Sequence, residues 1–289
     1  MKSKNQDSKK IKLALPKGRL FEDVVKLLTD GGFVIAKNGR NYRPYIDDLE
    51  IEIKLLKPQN IPKLVELGSQ DIAFTGYDWV VEENADVEEL MDLKFNPVKL
   101  VAAVSSGLDI NALSVVRAAS EYESIAKRYL EEKGLNYVFI KSFGATESFI
   151  PEDADMIIDN ASTGKTLEDN GLVIYDEVMT SSTRLIANKD AFLDIWKKKK
   201  IENLMLILKS VLEARKRLFI EMNVSKENLD PLIDVLPCMK SPTIAKLYAD
   251  GGYAVKIAVE KNQVNELIPF LKEKGATDIL VFELKKVVV

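Results

Sequence analysis

An acid, a run of small hydroxylated residues and a glycine–lysine pair stand together at Asp159, Asn160, Ala161, Ser162, Thr163, Gly164, Lys165 and Thr166. The apolar run Met156 to Ile158 before them reads as a buried strand, and Thr166-Leu167-Glu168 opens a helix. A strand that turns into a helix in this way aims backbone N–H groups and a helix N-terminus at one point, which suits an anion and phosphate above all. Asp159 sits badly beside phosphate but accepts hydrogen bonds from the hydroxyls of a sugar. Acid and phosphate cradle together point to a sugar phosphate. A P-loop reading of Gly164-Lys165-Thr166 fails, because the glycine required five residues before the Gly-Lys pair is Asp159 here. The bland alternative is an ordinary strand-to-helix turn built from small residues.

Other strand ends carry chemistry too. Pro16-Lys17-Gly18-Arg19-Leu20 sits where a first strand, Ile11 to Leu15, hands over to a helix, and two cations beside a glycine at a helix start could grip a polyphosphate. Lys57 follows a half-exposed strand, Leu49 to Leu56, and Asp71 to Gly76 is a buried strand running into a glycine turn. Glu147 opens a turn after Phe143-Gly144, where an acid also serves a helix dipole with no further role. In open α/β sheets ligands gather at the carboxyl ends of strands, so these groups together suggest a cleft for two phosphorylated substrates.

The 289 residues contain no histidine. That removes Ser-His-Asp and Cys-His nucleophilic chemistry, imidazole bases and nearly every catalytic zinc design. A metal here is expected to be a hard ion held by oxygens, Mg²⁺ brought with a phosphate substrate. One cysteine, Cys238, excludes an internal disulfide and fits a reducing cytoplasm, and the net charge of −4 offers no electrostatic reason to invoke nucleic acid. No apolar run approaches membrane-spanning length, and residues 1–10 read as a polar, disordered leader rather than a signal peptide.

Strand and helix alternate along the chain, which predicts an α/β fold with largely parallel sheets. The pattern pauses near Asn96-Pro97, so two lobes with a cleft between them are expected, lobe I over 11–98 and 184–212 and lobe II over 99–183. Within lobe II the pattern predicts a helix over Val116 to Lys133 and strands at Tyr137–Ile140, Leu172–Tyr175 and Arg184–Ala187, the last crossing back to lobe I. A long amphipathic helix over Ala191 to Lys216 carries Lys197 to Lys200, read as a solvated face. Residues 213–289 follow the order β-α-β-β-α-β, the ferredoxin-like split pattern, and lack acid/base clusters, so they read as a ligand-sensing or assembly module.

In these motifs, taken in order, the chain resembles the long form of the ATP phosphoribosyltransferase family, which opens histidine biosynthesis. The resemblance runs from Leu13 to the C-terminus and rests on residues 15–20, 57–62, 71–76, 143–147 and 159–167 and on Met239-Lys240-Ser241-Pro242-Thr243. It implies a two-lobed catalytic part like that of periplasmic binding proteins and a C-terminal ferredoxin-like regulatory domain. It implies that Asp159, Ser162, Thr163, Gly164, Lys165 and Thr166 hold the ribose and 5-phosphate of phosphoribosyl pyrophosphate. Lys17, Gly18, Arg19, Lys57, Asp71, Gly76 and Glu147 would line the ATP and pyrophosphate part of the cleft, with Lys17, Arg19 and Asp159 as catalytic residues and Mg²⁺ as cofactor. Histidine would bind the third domain near Asn223, Ser241 and Thr243 as an inhibitor, and the protein would form dimers and hexamers in the cytoplasm. The family usually has an aliphatic residue where Asn160 stands, more often Arg at Lys57, and Asp at Asn60. The segment from Glu147 to the next strand also looks one residue shorter, and the Glu152-Asp153 region replaces a common glycine. A two-lobed binding or sensing protein without catalysis is the alternative reading of the same architecture.

Overall fold

The computed structural model describes residues 9–36, 41–161, 164–237, 239, 241–248 and 251–289. Most of the expected N-terminal leader lies outside the described residues, as do Ser162 and Thr163.

The chain divides into two compact units, residues 1–26 with 34–201 and residues 27–33 with 202–289. Sequence reading puts a boundary at 212/213, whereas the division by packing falls inside a long helix, between residues 201 and 202.

The first unit begins with β1 (Ile11–Pro16), α1 (Arg19–Asp30, whose last residues belong to the second unit), the short pair β2 (Ile35–Ala36) and β3 (Tyr45–Ile46), and β4 (Ile51–Leu56). Then come α2 (Ile61–Glu66), β5 (Ile72–Gly76), α3 (Tyr77–Glu82) and β6 (Glu88–Asp92). The next run is β7 (Val98–Ser105), β8 (Val116–Ser120), α4 (Glu123–Glu132), β9 (Tyr137–Lys141), β10 (Met156–Ala161), α5 (Lys165–Asp169) and β11 (Leu172–Ser181). It closes with β12 (Thr183–Ala187), α6 (Lys189–Leu193) and the start of α7 (Ile195–Arg215).

These strands form two five-stranded sheets, ordered β4-β1-β5-β12-β6 and β11-β7-β10-β8-β9. The chain passes from one sheet to the other after β6 and returns through Ser182, between β11 and β12. The first unit is thus two-lobed, with one five-stranded sheet in each lobe. Continuous apolar runs occupy the centres, as buried strands require. Leu13, Ala14 and Leu15 of β1, and Met156 and Ile158 of β10, are fully enclosed.

Two expectations need correction. The sheets are mixed rather than largely parallel. β12 runs antiparallel to both β5 and β6, and β7 antiparallel to both β10 and β11, because a strand arriving from the other lobe enters its sheet in the opposite sense. The predicted helix over Val116 to Lys133 is a strand followed by a shorter helix. Val116–Ser120 pairs on both sides, with β9 and β10, and its alanines are fully buried. A central position overrides the helix propensity of Arg-Ala-Ala. The strand expected over Leu172–Tyr175 extends to Ser181, with register shifts after Ile174 and Glu177.

The second unit holds β13 (Arg217–Val224), α8 (Lys226–Ile233), β14 (Thr243–Lys246), β15 (Tyr253–Glu260), α9 (Val264–Glu273) and β16 (Thr277–Glu283). Its antiparallel sheet has the order β14-β15-β13-β16, the ferredoxin-like arrangement. Ile220, Met222, Val224, Val255, Ile257 and Val259 pack under Leu232, Leu267 and Leu271 of the helices. Alternation then leaves Glu221, Asn223 and Lys256 on the other face.

The join between the two lobes of the first unit is a wedge made by α3. Trp79 packs with Leu100, Tyr122 and Ile125 of the second lobe, and its ring stacks on Tyr122 with centroids 4.4 Å apart. Glu82, 6% exposed, accepts from the backbone N–H groups of Ser124 and Ile125, each at 3.1 Å. A carboxylate from one lobe thus caps the helix of the other, satisfying two orphan donors at its positive end. Replacing Glu82 by Ala should cost about 1–2 kcal/mol, the worth of a strong cap. Urea denaturation reads this as a lowered midpoint, and an unchanged midpoint would refute the capping role.

Candidate functional site

A cavity of about 300 Å³ lies between the two lobes. From the first lobe it is lined by Lys17, Arg19 and Leu20 after β1, by Pro58 and Gln59 after β4, and by Gly76, Asp78 and Trp79 at the β5–α3 junction. The second lobe adds Glu121, Tyr122 and Asn160, and the crossing segments add Asn96, Val98 and Ser181 to Thr183. The parallel strands β1, β4 and β5 present their carboxyl ends to it, the position where such sheets bind ligands.

Lys17 and Arg19 flank Gly18, whose φ of +78° makes the tight turn into α1 without a Cβ penalty. The Lys17 ammonium lies 3.6 Å from the centroid of the Tyr42 ring, which orients it. Lys57 stands exposed at the end of β4, beside Pro58 and Gln59 of the lining. Gly76 lines the cavity, yet its backbone is ordinary. A Cβ there would collide with the Asp78 carboxylate, so the glycine is required by its neighbour.

Asp71 does not join these residues. It precedes β5 at the end opposite Gly76, is 4% exposed, and accepts from the Lys12 N–H at 2.8 Å and from the Lys197 ammonium at 2.7 Å. Reading Asp71 and Gly76 as one strand end overlooks that the strand between them separates its termini by its full length. Asp71 is a buried, paired acid that ties β1 to α7. Lys197 is thereby engaged, as is Lys200 with Asp48 and Glu50, each at 2.7 Å.

Asp159 occupies β10 one residue before Asn160. Its carboxylate accepts from the Asn160 backbone N–H at 2.6 Å and from the Thr146 hydroxyl. Burial nevertheless lifts its pKa above the usual aspartate value, with the nearby Glu147 adding to the rise. Glu121 is likewise pushed up, by burial first and then by Asp159, while Lys141 and Lys57 pull it back. Glu121 thus lies within electrostatic reach of Asp159, Lys141 and Lys57, and Asp159 within reach of Glu147. Gly164, at φ +76°, starts α5, which carries Lys165 and Thr166. Among the described residues no group of three or more acids, cysteines or histidines converges as a metal cage.

The residues missed by sequence reasoning are those of the wedge. Asp78, 5% exposed, accepts from the Tyr122 hydroxyl at 2.8 Å and from the Ser181 hydroxyl at 2.6 Å, and its own N–H donates to Ser181 Oγ at 2.9 Å. The Asn160 amide donates to the Tyr122 oxygen at 2.7 Å. Nothing local in the sequence marks Asp78, at the start of α3, or names Tyr122 and Ser181 as its partners. In the second unit, register places Thr243 opposite Lys256 and Lys256 opposite Glu221, with Asn223 two residues further on. Asn223 and Thr243 thus share the face away from the helices, and the Asn223 amide donates to Asp278 at 3.0 Å. Ser241 is exposed just before β14.

The chain is similar along nearly its whole length to curated proteins of one kind. It is 38% identical over 287 residues to the ATP phosphoribosyltransferase of Pelotomaculum thermopropionicum, covering 96% of this chain and 99% of that one. The same enzyme of Thermodesulfovibrio yellowstonii is 39% identical over 288 residues, covering 97% and 99%. Among solved structures, the ATP phosphoribosyl transferase (HisG:HisZ) complex of Thermotoga maritima contains a chain matching at a TM-score of 0.65 and 28% identity, over 70% of this chain and 98% of that one. The family model of ATP phosphoribosyltransferase matches residues 57–210, and that of the HisG C-terminal domain matches 214–286. The chain belongs to the ATP phosphoribosyltransferase family and carries that family's C-terminal domain.

Proposed function

We propose that this transferase moves the phosphoribosyl group of phosphoribosyl pyrophosphate onto N1 of the adenine of ATP and releases pyrophosphate, committing ATP to histidine synthesis. The observation that carries the reading is the interlobe cavity, where Lys17 and Arg19 of one lobe stand with the Asn160 end of β10 in the other. Asp159 accepts the ribose hydroxyls, and the turn into α5, with Gly164, Lys165 and Thr166, holds the 5-phosphate. Ser162 and Thr163, which precede Gly164 in the sequence, belong to the same reading. Lys17, Arg19 and Lys57 face the triphosphate and pyrophosphate, and Leu20, Pro58, Trp79 and Val98 offer apolar surface to a purine.

The chemistry suits a chain without histidine. N1 of adenine carries a free lone pair, so no base is needed to create the nucleophile. The barrier lies in cleaving the C1–pyrophosphate bond through an oxocarbenium-like state, and alignment of two bound reactants can lower it by about 7–11 kcal/mol. Cations around the departing pyrophosphate stabilise charge as it develops. Magnesium would arrive with the substrate phosphates, because the described acids do not form a cage for it.

The second unit is proposed to bind histidine on the open face of its sheet, near Asn223, Ser241 and Thr243, and so to inhibit the enzyme. Assembly into dimers and hexamers is part of the same reading, supported in kind by the Thermotoga maritima relative, which was solved as a complex. The noncatalytic binding-protein alternative has no support in the named relatives.

With ATP, phosphoribosyl pyrophosphate and Mg²⁺ present, the protein should release pyrophosphate, and histidine should suppress that release. Silence with folded protein, or turnover indifferent to histidine, would overturn the catalytic or the regulatory part respectively.

Asp159→Asn should weaken phosphoribosyl pyrophosphate binding by about 100-fold, the loss of two charge-assisted hydrogen bonds, as read by calorimetry. A raised native pKa means that the charged form of Asp159 costs stability above that pKa, a cost relieved as pH falls. The variant's melting temperature at neutral pH should therefore equal or exceed that of the parent. For the parent, donor affinity should fade on acidification, with its midpoint above the usual aspartate pKa. Loss only below that value would argue against Asp159 as the acceptor.

A further inference from the structure

Tyr122 carries one hydroxyl proton, and the Asp78 carboxylate can only accept, so that proton is committed to Asp78. Any group bonding to the Tyr122 oxygen from the cavity side must therefore be a donor. Asn160 supplies its amide nitrogen at 2.7 Å. An aliphatic residue would leave the oxygen without that bond, and a carboxylate would repel it. The other end of the Asn160 residue is its backbone N–H, which donates to the Asp159 carboxylate at 2.6 Å. Hydrogen bonds thus lead from Ser181, beside the return crossing, through Asp78 on α3 and Tyr122 to the Asn160 side chain. The covalent frame of Asn160 carries the link on to its backbone N–H and Asp159.

The anchor end of this path is rigid. Tyr122 is fully buried and stacked on Trp79, while Asp78 is held at both oxygens. Its far end, Asn160, is exposed at the cavity wall. The phenol stays protonated because burial, reinforced by Asp78, pushes its pKa far up, so the direction of the path does not reverse with pH.

We propose that Asn160 is a positioning residue for the phosphoribosyl donor: through Tyr122 it locks the Asp159 end of β10 to Asp78 of the opposite lobe, so that the ribose acceptor is aimed only when the lobes are joined at α3. This rests on the reading of Asp159 as the ribose acceptor. The amide itself need not touch the donor. It sets the backbone that Asp159 leans on.

The test compares Asn160→Leu, Tyr122→Phe and the double variant in the full-length enzyme, with steady-state KM for each substrate and melting temperature measured together. Each single change should raise KM for phosphoribosyl pyrophosphate about five- to tenfold, the worth of one hydrogen bond, with KM for ATP changed less than twofold. The double variant should be no worse than either single one, since both break the same path. If Tyr122→Phe fails to fold, Asp78→Ala, which removes the acceptor of the Tyr122 proton, replaces it as the anchor variant, with the same expectation. An effect from Asn160→Leu but none from the anchor variant would make Asn160 a direct ligand contact and overturn the proposal. Multiplying effects, or equal changes in both KM values, would overturn it too. Asp159→Asn is the control. If it keeps donor affinity, the ribose reading itself fails, whereas loss there with a silent Asn160→Leu rejects the positioning role alone.

Discussion

Two carboxylates buried against aromatic and aliphatic side chains hold the catalytic part of this protein together. Asp78 and Glu82 sit on one face of α3, four residues apart, with Trp79 between them. A buried carboxylate is costly unless charge-assisted hydrogen bonds replace its water. Both acids find those donors chiefly outside the helix that carries them. Asp78 takes the Tyr122 and Ser181 hydroxyls, and Glu82 takes the N-terminus of α4. Separating the lobes would strand both charges, so polar satisfaction and apolar packing both favour the joined arrangement.

That constraint explains features that otherwise look like substrate chemistry. Gly76 is a glycine because the Asp78 carboxylate fills the space a side chain would need. Tyr122, directly before α4, offers no side-chain cap, and Glu82 performs that task from the other lobe. Asn160 is polar in a strand end that could be apolar because it has a hydroxyl oxygen to reach. The cavity left between the lobes then inherits a wall of fixed geometry, which is what alignment of two large anions demands.

Much of the architecture could be read from the amino-acid order. The run Met156 to Ile158, the acid after it and the glycine before Lys165 define a strand, an acceptor and a turn by local rules alone. The same holds for Leu13 to Leu15 followed by Lys17-Gly18-Arg19, and for the β-α-β-β-α-β order of the last segment. Asp71 shows where such reading stops. It looks like part of the Asp71–Gly76 motif, but a strand's two ends face opposite edges of the sheet, and Asp71 is spent on Lys12 and Lys197. Val116 to Ser120 shows another limit, since alanine-rich sequence becomes a strand when both edges are paired.

Sequence alone determined the inventory: which strand ends carry cations, which carries an acid followed by small hydroxylated residues and a glycine, and that imidazole chemistry is absent. Those are properties of neighbouring residues, and local backbone preferences are enough to read them. Tertiary structure alone decided the partnerships. Asp78, Tyr122, Asn160 and Ser181 lie up to 103 positions apart, and neither periodicity nor composition constrains which of them meet. Their meeting is set by the two crossings between the sheets and by the need of buried carboxylates for donors, conditions that exist only once the lobes have packed.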